Sequence, residues 1–532
     1  MPVPNVAFVA FQDQPNLGVG YMASVLVHEG FNVEVLDFRQ GFEFILERVR
    51  KLDPLIIGLS IIFQHYTPGF ADLVAHLRDN GIECPICAGG HYPSLESGIC
   101  LKEMPGLDFI VRFEGEQTLL EVSRRLRSGR DWRDVHGIVY LNDGAVVDTP
   151  LRPLIPDLDS LPFPMRWSNL HCLGVRVTSI LASRGCPRNC SFCSIRMFYS
   201  IPPGPVRRTR SPENVIAEML QLYREQGVRI FLFQDDDFSL MSKHDRDWTW
   251  HFLNCLDRSE MKGAISWKIS CRSDEVEPEI FAAMRDAGLT FTYLGVESGN
   301  EAGLRVLNKH LTVAQNLQAA DTLKSLGISL DFGFMLFDPS STIDRVLKNV
   351  RFVRKICGDG SAPVSFAKTL PYAGTDLERQ MKKEGRLRGD VAAPDYSFKD
   401  RRTEEWFDYL REVFYPWVYG SQSIQAQLRW AAFEMDVLDR FYANAPGLNE
   451  HRQRVRFLTH WYNEIYCKIV EDSSVYFRAP RPDNPHALAG IQSASEHQRK
   501  WIEDQLVLQR QSFFTSAGFP EGIVQGQAEE PL

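Results

Sequence analysis

The sequence contains no long apolar run. No stretch approaches the roughly 18 to 20 uninterrupted apolar residues that a helix needs to cross a bilayer, and the opening residues show neither the basic start nor the apolar length of a signal peptide. We therefore expect a cytoplasmic protein that does not associate with membranes.

Positive charge is also scarce relative to negative charge. The chain has 59 Lys and Arg against 68 Asp and Glu, so its formal net charge is −9. Such a surface repels a polyanion unless it has a local basic patch, so we expect no nucleic-acid partner. Hydrophobic residues make up 44% and charged residues 24% of the chain, which is typical of globular proteins. With 532 residues the chain exceeds the size of one ordinary domain.

Structural disulfide bridges are not expected. The chain has 11 cysteines, but the cytosol keeps thiols reduced. Some cysteines should therefore be metal ligands and others buried apolar residues.

The first 130 residues alternate short apolar strands with helical stretches. Strands of this kind, joined by helices, predict a parallel sheet covered on both faces, in a doubly wound, flavodoxin-like arrangement. The predicted strands are Val6–Ala10, Asn32–Leu36, Leu55–Ser60, Cys84–Ala88 and Asp108–Arg112.

A second alternating region covers residues 173–385. Six strand–helix units predict an incomplete barrel with functional residues at the carboxyl ends of its strands. The predicted strands are Arg176–Ala182, Ile230–Gln234, Ser266–Cys271, Thr292–Val296, Leu330–Leu336 and Val364–Leu370.

Three further stretches have other patterns. Residues 131–172 are predicted to be a linker that contains a small hairpin turning at Asn142-Asp143-Gly144. Residues 386–515 read as helical and residues 516–532 as a disordered tail.

Three cysteines form the strongest chemical signal. Cys186, Cys190 and Cys193 have a C-x3-C-x2-C spacing directly after a predicted strand. Three thiolates on one loop suit a 4Fe–4S cluster with one open iron. A structural zinc site usually takes four protein ligands, with His171 or Cys172 as the candidate fourth. Buried structural cysteines are the third alternative, which the Arg-, Asn- and Ser-rich segment disfavours.

This triplet, with Phe192 before its last cysteine, resembles the signature of the radical S-adenosylmethionine (SAM) superfamily. The resemblance implies a cluster whose open iron binds S-adenosylmethionine and cleaves it reductively to a 5′-deoxyadenosyl radical. It also implies cofactor contacts at the ends of successive barrel strands. The residues concerned are Phe192, Asp235, Asp236, Asp237, Arg272 and Glu297. Each of the acidic residues, taken singly, also fits a helix cap.

The amino-terminal region resembles the cobalamin-binding domain that precedes many radical SAM barrels. The segments that carry this resemblance are Asn16–Tyr21, Ala88–Ser94, Glu114–Glu116 and the linker Leu158–Pro164. It implies cobalamin contacts at Gln14, Asn16, Leu17, Gly18, Ser60, Gln64, His65, Gly89, Gly90, His91, Glu114, Gly115 and Glu116.

One departure from the cobalamin pattern concerns the lower cobalt ligand. Domains that ligate cobalt from below use a D-x-H-x-x-G loop, but here Pro15 stands two residues after Asp13. His65, in the loop after the third strand, is the candidate ligand, and an ordinary polar surface residue is the plainer interpretation.

Together the resemblances predict an α/β protein. A doubly wound Rossmann-like cobalamin-binding domain is followed by a partial (β/α)6 radical SAM barrel and a mostly helical carboxy-terminal domain. The implied activity is transfer of a methyl group through methylcobalamin to an unactivated carbon of a small molecule, free or carrier-bound, in natural-product or antibiotic biosynthesis. An external electron donor such as flavodoxin or ferredoxin is implied as well.

Other functions stay open at this level. The same cofactors also serve rearrangement and oxidative cyclisation without methyl transfer. A methylthiotransferase would need a second cluster, and Cys84, Cys87 and Cys100 lack the usual placement. We expect Cys84 and Cys87 to be structural, because residues three apart in a strand face opposite sides. A cobalamin sensor would not need the cysteine loop. A zinc-stabilised binding protein would retain its metal after aerobic purification and show no visible chromophore.

No motif names the substrate. Lys368, Tyr372 and the aromatic stretch Trp406–Trp417 are candidates for lining a pocket, and core packing explains them equally well.

Overall fold

A computed structural model describes residues 3–12, 16–167, 170–420, 422–478, 485–520 and 522. The chain forms two units, and neither is continuous in sequence. The first unit comprises Met1–Ser168, Leu181–Asn214 and Leu370–Tyr396, and the second comprises Asn169–Ile180, Val215–Thr369 and Ser397–Leu532.

The first unit is built on a seven-stranded sheet of order β2-β1-β3-β4-β5-β6-β7. Strands β1 to β5 are parallel, which confirms the predicted doubly wound sheet, and their order 2-1-3-4-5 is that of flavodoxin-like folds. Its strands are β1 (Asn5–Ala10), β2 (Asn32–Asp37), β3 (Ile57–Ser60), β4 (Ile86–Gly89), β5 (Phe109–Val111), β6 (Ile138–Asn142) and β7 (Ala145–Asp148). Its helices up to β6 are α1 (Leu17–His28), α2 (Phe42–Leu52), α3 (Thr67–Asp79), α4 (His91–Leu95), α5 (Ser97–Glu103) and α6 (Glu116–Arg127).

Strand β1 shows why the sheet is buried on both faces. Val6 and Phe8 pack into one hydrophobic cluster, whereas Ala7 and Val9 pack into another. Since successive side chains point to opposite faces, an all-apolar strand needs cover on both sides.

The predicted linker differs from the structure. Strand β6 pairs antiparallel with β5, and β7 with β6, so the hairpin extends the sheet instead of lying in a tether. Its predicted turn is confirmed, because Asp143 and Gly144 both have positive φ, as a type I′ turn requires. Leu158 and Leu161 are buried in the core of the first unit, so the segment that follows is packed as well.

The remaining elements of the first unit are short. They are β10 (Ser183–Arg184), α7 (Ser194–Ser200), β11 (Arg208–Thr209), α14 (Asp376–Lys383), β16 (Leu387–Arg388) and β17 (Asp395–Tyr396).

The second unit contains a six-stranded sheet of order β15-β14-β13-β12-β9-β8. Strands β9 and β12 to β15 are parallel, and β8 is an antiparallel edge. The strands are β8 (His171–Cys172), β9 (Val175–Ile180), β12 (Val228–Phe233), β13 (Ser266–Cys271), β14 (Leu289–Glu297) and β15 (Ser329–Phe334). The helices between them are α8 (Pro212–Gln226), which begins in the first unit, α9 (Lys243–Asp257), α10 (Pro278–Asp286), α11 (Glu301–Val306), α12 (Val313–Ser325) and α13 (Ile343–Cys357).

The predicted sixth strand, Val364–Leu370, does not form. It leaves only an isolated parallel bridge between Phe337 and Lys368. Side chains of the carboxy-terminal helices take its backbone groups instead: Asn463 accepts from the Val364 nitrogen, and Tyr462 donates to the Val364 oxygen. Backbone groups that are already paired with side chains cannot form hydrogen bonds with a neighbouring strand.

The carboxy-terminal part of the second unit is helical, but from Arg401 and not from the predicted residue 386. Residues 386–396 belong to the first unit and include β16 and β17, which pair with each other. The helices from Arg401 onward are α15 (Arg401–Val418), α16 (Ile424–Phe441), α17 (Leu448–Arg478) and α18 (Pro485–Ser516). Trp406 and Trp417 are fully buried, and the Lys368 ammonium lies 4.6 Å from the centre of the Phe407 ring. These aromatics therefore form core.

The described start of the predicted disordered tail is ordered. Phe519 packs against Tyr442 and Phe514, because burial of its ring favours a fixed position. Residues 521 and 523–532 lie outside the described residues. Within the described part of the chain, no helix combines the length and apolar character needed to span a bilayer.

Candidate cofactor sites in the two units

The three cysteines of the triplet lie on one loop of the first unit, between β10 and α7. Cys186, Cys190 and Cys193 are each only partly buried. Gly185, just before them, has φ of 82°, and a side chain there would collide with the Val206 carbonyl oxygen. Three accessible thiols at the start of a helix suit ligation of an iron–sulfur cluster. Phe192, within the loop, is half-buried.

A buried charge network supports this loop. Antiparallel pairing of β10 with β11 places Arg184 directly opposite Arg208, and like charges in that position repel. Glu114 lies between them: it accepts from Arg184 Nη1 at 3.1 Å and from Arg208 Nη1 at 2.9 Å. Glu116 pairs with Arg184 Nη2 at 2.7 Å. All four side chains are nearly inaccessible, so two carboxylates balance two guanidinium groups.

This network gives Glu114 and Glu116 partners that the sequence did not indicate. Both carboxylates are occupied by arginines that flank the cysteine loop in sequence or in space. A Cβ at Gly115 would lie 2.9 Å from the Met22 sulfur, so this glycine is needed for close packing. Contact of these three residues with cobalamin stays a prediction.

His91 connects α4 to the helix that follows the cysteines. Its Nδ1 lies 3.2 Å from the Ser194 hydroxyl, and its ring stacks on Phe198 at 4.6 Å. Burial lowers the His91 pKa to about 4, so the ring is neutral near pH 7. On the other side of the loop, the Leu377 nitrogen donates to the Ser191 oxygen at 2.8 Å.

The carboxyl ends of β1 and β3 form the topological switch point of the first sheet, where open α/β sheets bind ligands. Asn16 caps α1 by accepting from the Val19 nitrogen, and its amide donates to the Ser60 hydroxyl at 3.2 Å. Two predicted cobalamin residues therefore meet across this point. Gly18 beside them is exposed, whereas the Leu17 side chain belongs to the core. Gln14 lies outside the described residues.

Gln12, at the end of β1, was not singled out from the sequence. Both polar atoms of its amide are buried without a hydrogen-bond partner among the described residues. Since buried polar groups are nearly always paired, this orphaned amide fits a bound group at the switch point.

The loop after β3 presents an apolar surface. Ile62 and Phe63 are 44% and 49% exposed, and the His65 ring stacks on Phe63 at 5.6 Å. Partial burial lowers the His65 pKa. Gln64 instead turns inward and bonds the Val391 oxygen and the Ala373 nitrogen. Exposed apolar side chains beside a histidine fit one face of a large ring such as corrin.

Gly89 and Gly90 end β4, next to β3. Gly90 has φ of 121°, and a side chain there would collide with the Ile61 carbonyl oxygen. Only glycine permits this approach of the two loops.

In the second unit, the residues of the acidic cluster after β12 differ in their exposure to solvent. Asp236 and Gln234 are exposed, whereas Asp235 and Asp237 are buried. Of the three predicted aspartates, only Asp236 therefore presents its side chain to solvent. Gln234 shares that exposure and was missed, although strand alternation puts it on the same side.

The other two predicted S-adenosylmethionine contacts are linked by Lys309. Arg272 Nη2 donates to the Lys309 oxygen at 2.7 Å, and Lys309 Nζ donates to Glu297 Oε1 at 3.0 Å. Glu297 has φ of 63° at a bulge in β14, a backbone conformation that is uncommon for a non-glycine residue. Lys309 was missed because no sequence signal connects it to either residue.

The remaining cysteines of the first unit confirm their structural interpretation. Cys87 is buried in one cluster of the sheet, and Cys84 packs against the cluster on the other face. Burial raises the pKa of Cys84 to about 11 and that of Cys100 to about 12, so these thiols are protonated and inert near pH 7.

Comparison with known families matches both regions. Residues 5–123 match the B12 binding domain, and residues 180–353 match the radical SAM superfamily. The chain is 30% identical over 375 residues to an uncharacterized methyltransferase of Pyrococcus horikoshii, an overlap that covers 68% of this chain and 77% of that protein.

Two other proteins extend the comparison. The chain is 28% identical to the anaerobic magnesium-protoporphyrin IX monomethyl ester cyclase of Cereibacter sphaeroides, over 60% of this chain and 53% of that one. The solved structure of the cobalamin-dependent S-adenosylmethionine radical enzyme OxsB with aqua-cobalamin bound superposes with a TM-score of 0.70. It covers 99% of this chain and 83% of that chain at 16% identity, which is evidence for the fold.

Proposed function

Because the chain belongs to the radical SAM superfamily and carries a B12 binding domain, we propose that it is a cobalamin-dependent methyltransferase acting on an unactivated carbon of a small molecule. The observation that carries this proposal is that one chain combines an accessible cysteine loop with a cobalamin domain. At the switch point of that domain the buried Gln12 amide has no hydrogen-bond partner among the described residues. The methyltransferase of Pyrococcus horikoshii supports the choice of reaction.

Each cofactor has its own set of residues. Cys186, Cys190 and Cys193 would hold a 4Fe–4S cluster, and three protein ligands would suit a cluster that also binds S-adenosylmethionine. S-adenosylmethionine is held by Phe192, Asp235, Asp236, Asp237, Arg272 and Glu297, to which we add Gln234. Cobalamin is held by the predicted set from Gln14 to Glu116, to which we add Gln12. When bound, the cluster and S-adenosylmethionine supply a radical that removes hydrogen from carbon, and methylcobalamin supplies the methyl group.

The chain's own part is positioning and exclusion of water. The Glu114–Arg184–Arg208 network fixes the base of the cysteine loop, and Lys309 fixes the Glu297 carboxylate. Rigid support of this kind keeps reacting groups in productive geometry. We further propose a flavodoxin- or ferredoxin-like electron donor, and a cytoplasmic role in natural-product biosynthesis.

Oxidative cyclisation is the second candidate function. It is favoured by the 28% identity to a magnesium-protoporphyrin IX monomethyl ester cyclase. The two functions differ in one product, because methyl transfer converts S-adenosylmethionine to S-adenosylhomocysteine, whereas cyclisation releases only 5′-deoxyadenosine and methionine.

The proposal is tested on protein reconstituted anaerobically with iron, sulfide and cobalamin. We expect about four irons and one cobalamin per chain, and formation of both 5′-deoxyadenosine and S-adenosylhomocysteine from S-adenosylmethionine under reducing conditions. The variant Cys190→Ser should lose iron and 5′-deoxyadenosine but keep cobalamin. Formation of 5′-deoxyadenosine alone would favour cyclisation.

The matched control is Cys255→Ser, since Cys255 is also a partly buried cysteine but lies in α9 outside the loop. This variant should keep iron, cobalamin and both products. Zinc in place of iron, or full iron retention by Cys190→Ser, would overturn the assignment.

A further inference from the structure

One face of the second sheet stays open over three strands. On β13, β14 and β15 most residues pointing to one side are buried, whereas several pointing to the other side keep partial exposure. On that second side Ser266, Asp331 and Glu297 are the buried exceptions. The partly exposed residues are Lys268, Ser270, Phe291, Tyr293, Gly295 and Gly333. We call this set the open face. Arg272 continues the alternation just after β13. Glu297 follows a bulge in β14, and its carboxylate lies beside Gly295 and Gly333 of this face.

A small cavity lies at the amino-terminal end of the open face. It measures about 30 Å³ and is lined by Lys268, Phe291 and Asp331 of the strands, by Ser361 to Pro363, and by residues of α16. From α16 the principal polar group is Arg429, beside Trp430 and Phe433.

Two polar groups lining this cavity have no hydrogen-bond partner among the described residues. The Lys268 ammonium lies 5.4 Å from the centre of the Phe291 ring and forms neither a hydrogen bond nor a salt bridge within that part of the chain. The Ser361 hydroxyl is buried and equally orphaned. Lys268 is partly exposed, whereas a buried donor such as the Ser361 hydroxyl is rarely left unpaired unless a ligand or water completes it.

The charges around the cavity are also unbalanced. Arg429 and Asp331 pair at 2.8 Å, and Arg429 also donates to the Ser365 hydroxyl at 2.9 Å. The positive charge of Lys268 is therefore the excess charge of the cavity lining. An unmatched charge away from water is costly, and a bound anion removes that cost.

We propose that Lys268 and Ser361 form a carboxylate-binding site that anchors the substrate of the proposed reaction. One anion balances Lys268, and its second oxygen accepts from the Ser361 hydroxyl. The cavity admits a group about the size of two water molecules, which fits a carboxylate better than the larger phosphate. This inference rests on the proposed function, because only that function identifies the bound carboxylate as part of the substrate.

The strand geometry also sets the distance between the carboxylate of the substrate and its reacting carbon. Arg272 directly follows β13 and stands four residues beyond Lys268, which corresponds to a rise of roughly 13 Å in extended backbone. A substrate held by its carboxylate at Lys268 therefore brings to the Arg272 end a carbon roughly that far away. Small or medium carboxylic acids of extended shape meet this requirement.

The test measures binding of propionate to the reconstituted full-length protein by thermal shift at constant ionic strength. Propionamide, which has the same shape without the charge, is the comparison ligand. We expect a saturable rise in the unfolding temperature with propionate and none with propionamide. Lys268→Met should weaken propionate binding by about tenfold or more, and Ser361→Ala by a smaller factor.

The matched control is Lys262→Met, which removes an exposed lysine of the same unit and should leave the propionate affinity unchanged. Equal shifts with propionamide, or full propionate binding by both Lys268→Met and Ser361→Ala, would overturn the proposal. The thermal-shift measurement needs no turnover, so an absence of propionate binding would not contradict the proposed methyl transfer. Loss of iron or cobalamin, measured separately, would remove the proposed function without altering this binding result.

Discussion

Lys309 donates a hydrogen bond to the carboxylate of Glu297 at 3.0 Å, and both side chains are almost completely buried. Two neighbouring glycines make room for the pair. A Cβ at Gly295 would lie 2.7 Å from Lys309 Nζ, and one at Gly333 would lie 3.0 Å from Glu297 Oε2. The segment that carries Lys309 has positive φ at Asn308 and His310. The local backbone is thus built around this ion pair.

We predict that Lys309→Met destabilises the protein by about 3–5 kcal/mol, because it leaves the Glu297 carboxylate buried and unpaired. It should also weaken binding of S-adenosylmethionine. The double variant Lys309→Met/Glu297→Gln should be less destabilised than the sum of the single variants. Thermal unfolding of the four proteins measures this coupling, and strict additivity would show that the pair contributes no interaction energy.

The buried network below the cysteine loop makes a second prediction. Glu114→Gln removes the charge between Arg184 and Arg208, and breaking a buried ionic group of this kind costs about 3–5 kcal/mol. We expect lower iron retention during reconstitution, because the loop loses its support. Glu121→Gln is the control, since Glu121 pairs with arginines at the surface and should keep its iron. Equal iron content in both variants would contradict the supporting role.

Protonation of His451 should contribute to the pH dependence of the free energy of unfolding. The His451 ring is 4% exposed and stacks on Phe513 at 4.1 Å, and burial together with Arg510 lowers its pKa to about 4. A base with a lowered folded-state pKa contributes full stability above its unfolded pKa of about 6.5. That contribution is lost as the pH falls from there towards 4, amounting to about 2 kcal/mol at pH 5.

His451→Phe keeps the stacking and removes the titration. The difference in stability between pH 7 and pH 5 should therefore shrink relative to the unmodified protein, as followed by denaturant unfolding. His244→Phe, at an exposed position, should leave the difference unchanged. An unaltered pH profile in His451→Phe would mean that other groups account for the acid sensitivity.

Two helical glycines should respond in opposite directions to the same substitution. Gly490 in α18 has no heavy atom within 4 Å of the position that a Cβ would take, so Gly490→Ala should stabilise the protein by up to about 1 kcal/mol. At Gly20 in α1 a Cβ would collide with the Met165 carbonyl oxygen and lie 3.1 Å from Pro164.

Gly20→Ala should therefore destabilise the protein despite its better helix propensity, and it should release the segment that crosses α1. Limited proteolysis after residue 150 and thermal unfolding measure the two effects. A stabilised Gly20→Ala variant would show that this crossing is not tight.

The alternation of apolar strands and helices was enough to predict both sheets. Strand β1 needs burial on both faces whatever its neighbours are, so the parallel layer followed from its composition. The turn at Asp143-Gly144 was equally readable, because its residue types suit positive φ. The hairpin's attachment to β5 was not readable, since pairing between strands that are distant in sequence depends on the assembled sheet.

The sites divide in the same way. The cysteine spacing is a local pattern, and it was enough to predict which loop binds the cluster. By contrast, Lys309, Gln12 and Ser361 carry no motif, and their importance comes from what surrounds them. The failure of Val364–Leu370 to form a strand has the same origin, because side chains about 60 to 100 residues away take its backbone groups.

The sequence by itself determined the two parallel sheets, the cysteine loop and the family resemblance, because each depends on residue type and short spacing. Tertiary structure alone decided which charges are paired and which are left over. It matched Glu114 to two arginines and Lys309 to Glu297. In the described part of the chain it paired Asp331, the acid beside Lys268, with Arg429 and left Lys268 without a salt bridge of its own. The physical reason is that burial sets the energy of a charge, and burial is a property of the folded chain.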